Sequence, residues 1–224
     1  MSATAIVPVK RFRAAKQRLV EVVGPPGRAA LTKAMLADVL TAITAAELVE
    51  RVVVVTGEGR AEKVALELGP GARIPVEVLR DPEDEGHSRA ATLGIVRAKA
   101  LGAEAVALLP GDCPLLDPPE LDAALGRLGP DSVVVVPDRH GSGTNALLMR
   151  PCDAVAPAFG PGSRERHVER ARRRDLAVAV DEVPSLGLDL DTPDDLAVLA
   201  ETLAAEPARA PRTAEAIAGL EAVR

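Results

Sequence analysis

The 224-residue chain has no tryptophan, no tyrosine and only two phenylalanines. Its core must be built from Val, Leu, Ile and Ala, and stacking of bases on aromatic rings, the usual grip on single-stranded nucleic acid, is nearly excluded. A formal net charge of −6 argues against phosphate-backbone binding too, so no nucleic-acid partner is expected. Two cysteines, Cys113 and Cys152, are too few for a disulfide framework or a zinc cage. No uncharged apolar run approaches the roughly 18 residues of a membrane span, and the start passes from apolar to basic, the reverse of a secretory signal. A cytoplasmic protein with no membrane partner is the expectation. Neither G-x-G-x-x-G nor G-x-x-x-x-G-K-[ST] occurs, so a dinucleotide oxidoreductase and a P-loop ATPase lose their main support.

What is present is an ordinary globular balance, 47% hydrophobic and 27% charged. Short aliphatic runs alternate with amphipathic stretches. Those at 4–9, 52–56, 76–79, 105–109 and 133–136 lack in-out alternation, as strands buried on both faces of a mostly parallel sheet do. Helical spacing of apolar residues predicts helices over 28–46, 61–68, 88–100 and 119–128, the last capped by Asp117. Further on, 145–149 and 176–180 read as strands and 163–173 as a helix begun by Ser163. Asp191-Thr192-Pro193-Asp194-Asp195 starts a helix reaching about Leu203. The expected fold is α/β with right-handed crossovers, one domain over 1–205. The tail, 206–224, reads either as frayed chain or as a peripheral helix.

Ligands of open α/β sheets bind at the carboxyl ends of strands, so the segments following strands carry the candidates. After the first comes a run with Lys10, Arg11, Arg13, Lys16 and Arg18 and no acid among them. On an acidic chain this local excess suggests a polyanion such as a triphosphate, against the plainer reading of a solvated loop. After the fourth strand, in Gly111-Asp112-Cys113-Pro114, glycine permits a sharp turn and Asp112 emerges as a candidate Mg²⁺ ligand rather than a mere turn residue. In Leu188-Asp189-Leu190-Asp191, extended chain would put Asp189 and Asp191 on one side, either to complete that metal site or to cap the next helix. Glycines 141 and 143 around Ser142, followed by Thr144 and Asn145, suggest a nest for an anion; Gly160-Pro161-Gly162-Ser163 suggests another at a helix N-terminus. His87, His140 and His167 share no metal-ligand spacing, and Cys113 beside Asp112 reads as a small buried residue.

In their order along residues 4–203, these segments resemble the 2-phospho-L-lactate or phosphoenolpyruvate guanylyltransferases of coenzyme F-420 biosynthesis, relatives of the molybdenum-cofactor guanylyltransferases. The resemblance covers Val7-Pro8-Val9-Lys10, Ala15-Lys16-Gln17-Arg18, Gly111-Asp112-Cys113-Pro114, the 138–147 loop, Gly160-Pro161-Gly162-Ser163 and Asp189-Leu190-Asp191. It implies a Rossmann-like three-layer αβα sandwich of the nucleotide-diphospho-sugar transferase type. It also implies transfer of GMP from GTP to the phosphate of a three-carbon acid, with pyrophosphate released. Carried over, Val7, Pro8, Val9, Lys10, Lys16, Arg18 and Ser88 bind the nucleotide, with Lys10, Lys16 and Asp112 catalytic. Asp112, Asp189 and Asp191 hold Mg²⁺, and Thr144, Gly160 and Ser163 take the acid. A homodimer fits this reading, as does delivery of the product to the next transferase of the pathway. An arginine excess over lysine, 22 to 5, suggests a GC-rich genome and inclines the acceptor toward phosphoenolpyruvate. The competing readings are another transferase of the same fold, either a glycosyltransferase using Asp189 and Asp191 as its metal pair or a different nucleotidyltransferase, and a non-catalytic nucleotide-binding protein.

Overall fold

The structure, a computed structural model, describes residues 2–12 and 17–221. One seven-stranded sheet runs through it. Its strands are β1 (Ala3–Val9), β2 (Val49–Thr56), β3 (Val76–Arg80), β4 (Ala105–Leu108), β5 (Ser132–Val136), β6 (Ala146–Arg150) and β7 (Ala177–Val180). They lie in the order β3-β2-β1-β4-β6-β5-β7. All neighbours are parallel except β6, which runs antiparallel to both β4 and β5.

The helices are α1 (Pro25–Ala45), α2 (Gly59–Leu68), α3 (His87–Ala100), α4 (Pro118–Gly126), α5 (Ser163–Arg172), the single turn α6 (Pro184–Gly187), α7 (Pro193–Ala205) and α8 (Pro211–Glu221). Alternation along the strands divides their side chains between two helical layers. Ala5, Val7, Val52 and Val54 face one side, with Leu36, Val39 and Leu40 of α1 and Leu121 of α4. Ile6, Val53 and Val55 face the other, against Ala91 and Ile95 of α3 and Val168 of α5. The three-layer α/β sandwich is thus present. Strands at its centre are buried on both faces, and β7, an edge strand, is largely exposed and departs from that rule.

Local chemistry explains the helix ends. Thr192 and Asp195 form a reciprocal capping box at the start of α7. Asp117 occupies the N-cap position of α4, but its side chain makes no capping bond. Pro118 and Pro119 follow it and bring no N–H groups to cap. The last segment takes the helical form: α8 packs on α1, and Ile217 joins Leu31, Met35 and Leu199 in a third apolar cluster.

Chain order reverses at the centre of the sheet. From β1 the chain builds outward through β2 and β3, then crosses back to place β4 on the other side of β1. Lys10 follows one of these two central strands and Asp112 the other, at the crevice where ligands of such sheets bind. No helix among the described residues is long and apolar enough to cross a membrane.

Candidate active site

The loop after β1 is anchored before it reaches solvent. Thr56, at the end of β2, donates its hydroxyl to the Val9 carbonyl at 2.8 Å, and Glu58 accepts the Phe12 N–H at 3.0 Å. Arg11 donates to the Pro82 carbonyl at 3.3 Å. Lys10 stands exposed between these anchors. Val7 and Pro8 lie inside β1 with buried side chains, Val9 is half-buried and Arg18 is exposed. Lys16 lies outside the described residues.

Across the switch point, Gly111 has no positive φ. The chain bends at Gly111 and Asp112 as expected, and the glycine also permits a close approach. A Cβ here would sit 3.2 Å from Leu36 Cδ1, so the missing side chain lets α1 pack against the tip of β4. Next, the Asp112 carbonyl accepts the Leu190 N–H at 3.3 Å. This bond aligns the two acidic segments side by side. Leu190 is buried, Asp189 half-buried and Asp191 exposed, which keeps the flanking acids off the core.

Asp189 senses both of the other acids. Burial, then the charges of Asp112 and Asp191, push the Asp189 carboxyl above its ordinary range, opposed by a hydrogen bond from Asn145 at 3.3 Å. Asn145 also donates to the Leu186 carbonyl at 2.7 Å, fixing the segment that carries Asp189. Yet among the described residues no three His, Cys, Asp or Glu side chains form a ready ion cage. The expected three-carboxylate set does not meet as a ready cluster, although Asp189 lies within electrostatic reach of the other two acids. A crowded, partly desolvated set of acids is the donor chemistry that a hard divalent cation fits.

His87 also faces this crevice, although its role was not legible in the sequence. It feels both Asp112 and Lys10, and burial lowers its pKa to about 4, so the ring is neutral at neutral pH. It meets Phe159 edge to face at 4.8 Å. Ser88, the next residue, accepts the Phe159 N–H at 3.0 Å. The start of α3 therefore holds the 158–162 loop, and Ser88 is engaged there. The only available signal was position, since His87 follows Gly86, whose φ of 104° breaks the chain into the helix.

The two expected anion nests are filled by the protein itself. Asp138 accepts the Ser142 N–H at 3.0 Å and its carbonyl accepts the Gly141 N–H at 2.9 Å. A Cβ at Gly143 would lie 2.4 Å from Asp138 Oδ2, so this glycine makes room for a carboxylate of the chain rather than for a ligand. At the start of α5, Gly160 accepts the Ser163 N–H at 3.0 Å and Ser142 accepts the Arg164 N–H at 3.3 Å, stitching the two loops together. Ser163 is fully buried, its hydroxyl without a hydrogen-bond partner, whereas Gly160 is exposed with a φ of 112°. Thr144 is half-buried and hydrogen-bonds His167 at 3.0 Å.

A solved structure of a protein from Desulfovibrio desulfuricans G20, assigned as a nucleotide-diphospho-sugar transferase, superimposes with a TM-score of 0.75 at 22% identity, covering 99% of this chain and 96% of that one. A cytidylyltransferase from Leptospira borgpetersenii superimposes at 0.60 and 18% identity, covering 99% and 94%. The architecture is that of the nucleotidyltransferases. Within that class the match narrows: the model of the guanylyl transferase CofC-like family matches residues 3–202, and the chain belongs to that family of enzymes. It is 46% identical over 220 residues to phosphoenolpyruvate guanylyltransferase of Conexibacter woesei, covering 95% of this chain and 94% of that protein. It is 38% identical over 223 residues to 3-phospho-D-glycerate guanylyltransferase of Phenylobacterium zucineum, covering 98% and 97%.

Proposed function

We propose that this enzyme transfers GMP from GTP to phosphoenolpyruvate and releases pyrophosphate. The observation that carries the reading is the placement of Lys10 and Asp112 after the two adjacent strands where strand order reverses, within a chain so similar to phosphoenolpyruvate guanylyltransferases. Asp112, with Asp189 and Asp191, would hold Mg²⁺, which supplies charge neutralisation between two anionic reactants. Lys10, with Lys16 and Arg18, draws the triphosphate to the β1 loop and offsets the charge gathering on the departing pyrophosphate. Thr144 and Gly160 receive the acid on the opposite wall, so that its phosphate oxygen faces the α-phosphorus in line. The buried Ser163 shapes this wall from behind. No side chain need remove a proton, because a phosphate oxygen is already ionised near neutral pH, and a neutral His87 is consistent with that economy. The product, a reactive mixed anhydride, suits delivery to a second transferase.

The similarity to the Phenylobacterium zucineum protein makes 3-phospho-D-glycerate the second acceptor to try. Incubation with GTP, Mg²⁺ and phosphoenolpyruvate, 2-phospho-L-lactate or 3-phospho-D-glycerate in turn, with mass detection of the product and assay of pyrophosphate, tests the reading. Pyrophosphate with the phosphoenolpyruvate adduct is expected; the absence of pyrophosphate with every acid would overturn it. Asp112→Asn should lower turnover about a hundredfold or more while the protein stays folded.

A further inference from the structure

Behind Thr144 lies a buried group that the reaction above does not use. His167, on α5, is fully buried and has two directed hydrogen bonds. Its Nε2 lies 2.8 Å from the backbone nitrogen of Ala158 and its Nδ1 lies 3.0 Å from the Thr144 hydroxyl oxygen. A backbone N–H can only donate, so Nε2 must present a lone pair. The ring is neutral, because burial, then Arg170 and Arg166, lower its pKa to about 4. With Nε2 bare, the single ring proton sits on Nδ1 and is donated to Thr144.

This arrangement polarises the hydroxyl. Having accepted the ring proton, Thr144 cannot donate back to the ring, and its own hydrogen is left for another acceptor. Among the described residues Thr144 Oγ1 has no other hydrogen bond, and the residue is half-exposed. The opposite tautomer would reverse the sense: Thr144 would donate inward and present lone pairs outward, which repel an anion. The frame is stiff. Arg170 donates to the Ala156 carbonyl at 2.6 Å and Arg166 to that of Ala158 at 2.9 Å, fixing the strip that supplies the controlling N–H. Phe159 packs edge-on against His167 at 5.3 Å.

We propose that His167 is a positioning residue that locks the Thr144 hydroxyl as an outward donor and thereby selects an anionic acceptor. The proposal rests on the reading above that Thr144 touches the acid. Two substitutions separate its two bonds. The amide of His167→Asn can stand in for Nδ1 and keep the donor to Thr144, whereas His167→Gln can stand in for Nε2 and keep only the bond from Ala158. His167→Gln should raise KM for phosphoenolpyruvate about tenfold, the worth of roughly one hydrogen bond to a charged group, with KM for GTP unchanged. His167→Asn should stay closer to the parent enzyme. Thr144→Val should raise the same KM, and adding His167→Gln to it should bring little more, because both act through one hydroxyl. Wild-type KM in a folded His167→Gln enzyme, or multiplicative effects in the double variant, would overturn the proposal while leaving the acceptor reading intact. An unchanged KM in Thr144→Val overturns the acceptor reading, and the proposal with it. The tautomer can be read in the unaltered protein from long-range proton–nitrogen correlations of the ring. A proton on Nδ1 is expected, and one on Nε2 refutes the assignment even if a buried substitution prevents folding.

Discussion

The carboxylate of Asp38, buried on α1, accepts both the backbone N–H and the hydroxyl of Thr213 at 2.8 Å. One side chain of the first helix thus satisfies donors at the start of the last, 175 residues away along the chain. Arg212 adds an ion pair to the same carboxylate at 3.3 Å. Asp38→Ala removes this cap and leaves buried donors unpaired. The expected cost is about 1–3 kcal/mol, read as a lower urea midpoint with an unchanged slope. An unaltered midpoint would show that α8 is held by its apolar face alone.

Asn145 gives side-chain support to an acid whose neighbours are acids, donating to both Asp189 and the Leu186 carbonyl. In Asn145→Ala the 186–189 segment loses its tether and Asp189 becomes harder to ionise. Turnover measured against Mg²⁺ concentration should shift to higher demand, with the maximum partly recovered at saturating ion. A superimposable Mg²⁺ curve would detach Asn145 from the ion site.

Acid should destabilise the protein through His167. Its folded pKa of about 4 lies below the ordinary 6.5, so between these values the unfolded chain binds the proton that the folded chain refuses. The contribution is fully present above about pH 6.5, fades as pH falls, and is lost once pH passes the folded value; it amounts to at most about 3 kcal/mol. Chemical denaturation at a series of pH values should give stability that falls with acidity over this window. In His167→Gln that part of the slope should vanish, and an identical slope would assign the acid sensitivity elsewhere.

Two glycines in helices should respond oppositely to alanine. At Gly94 in α3 a Cβ would meet Ile6 Cγ2 at 2.3 Å, whereas at Gly126, the last residue of α4, it meets nothing within 4 Å. Helix propensity favours alanine by up to about 1 kcal/mol at either site, but overpacking at Gly94 costs roughly 1–3 kcal/mol. Thermal melts should therefore show Gly94→Ala lowered and Gly126→Ala level or raised. Equal shifts would mean that α3 can step away from β1 without penalty.

The features legible in the sequence were those with a local cause. Aliphatic runs without alternation marked the central strands, and the Thr192–Asp195 cap marked the start of α7. Asp112 stands out as a candidate because it follows a strand, and Asp189 because chain alternation pairs it with Asp191. What escaped depended on distant partners. Glycines 141 and 143 read in sequence as an open nest, whereas Asp138 occupies it in the fold, and an antiparallel β6 leaves no mark in Ala146–Arg150 itself. His87 and His167 showed no spacing because their meaning lies in Phe159, Thr144 and the Ala158 backbone, which only folding brings near.

The bond from the Leu190 N–H to the Asp112 carbonyl has a bearing on how damage to this enzyme would first be noticed. Leu190 is packed among Leu199, Leu203 and Ile217, so the spacing of the acids is braced by the final helices rather than by the sheet alone. Loosening that brace, by truncation or by a poorly chosen surface change, would slacken the register of the carboxylates while the sheet still stood. The molecule would look sound by its spectrum and yet work poorly, its decline showing as lost turnover well before any visible melting.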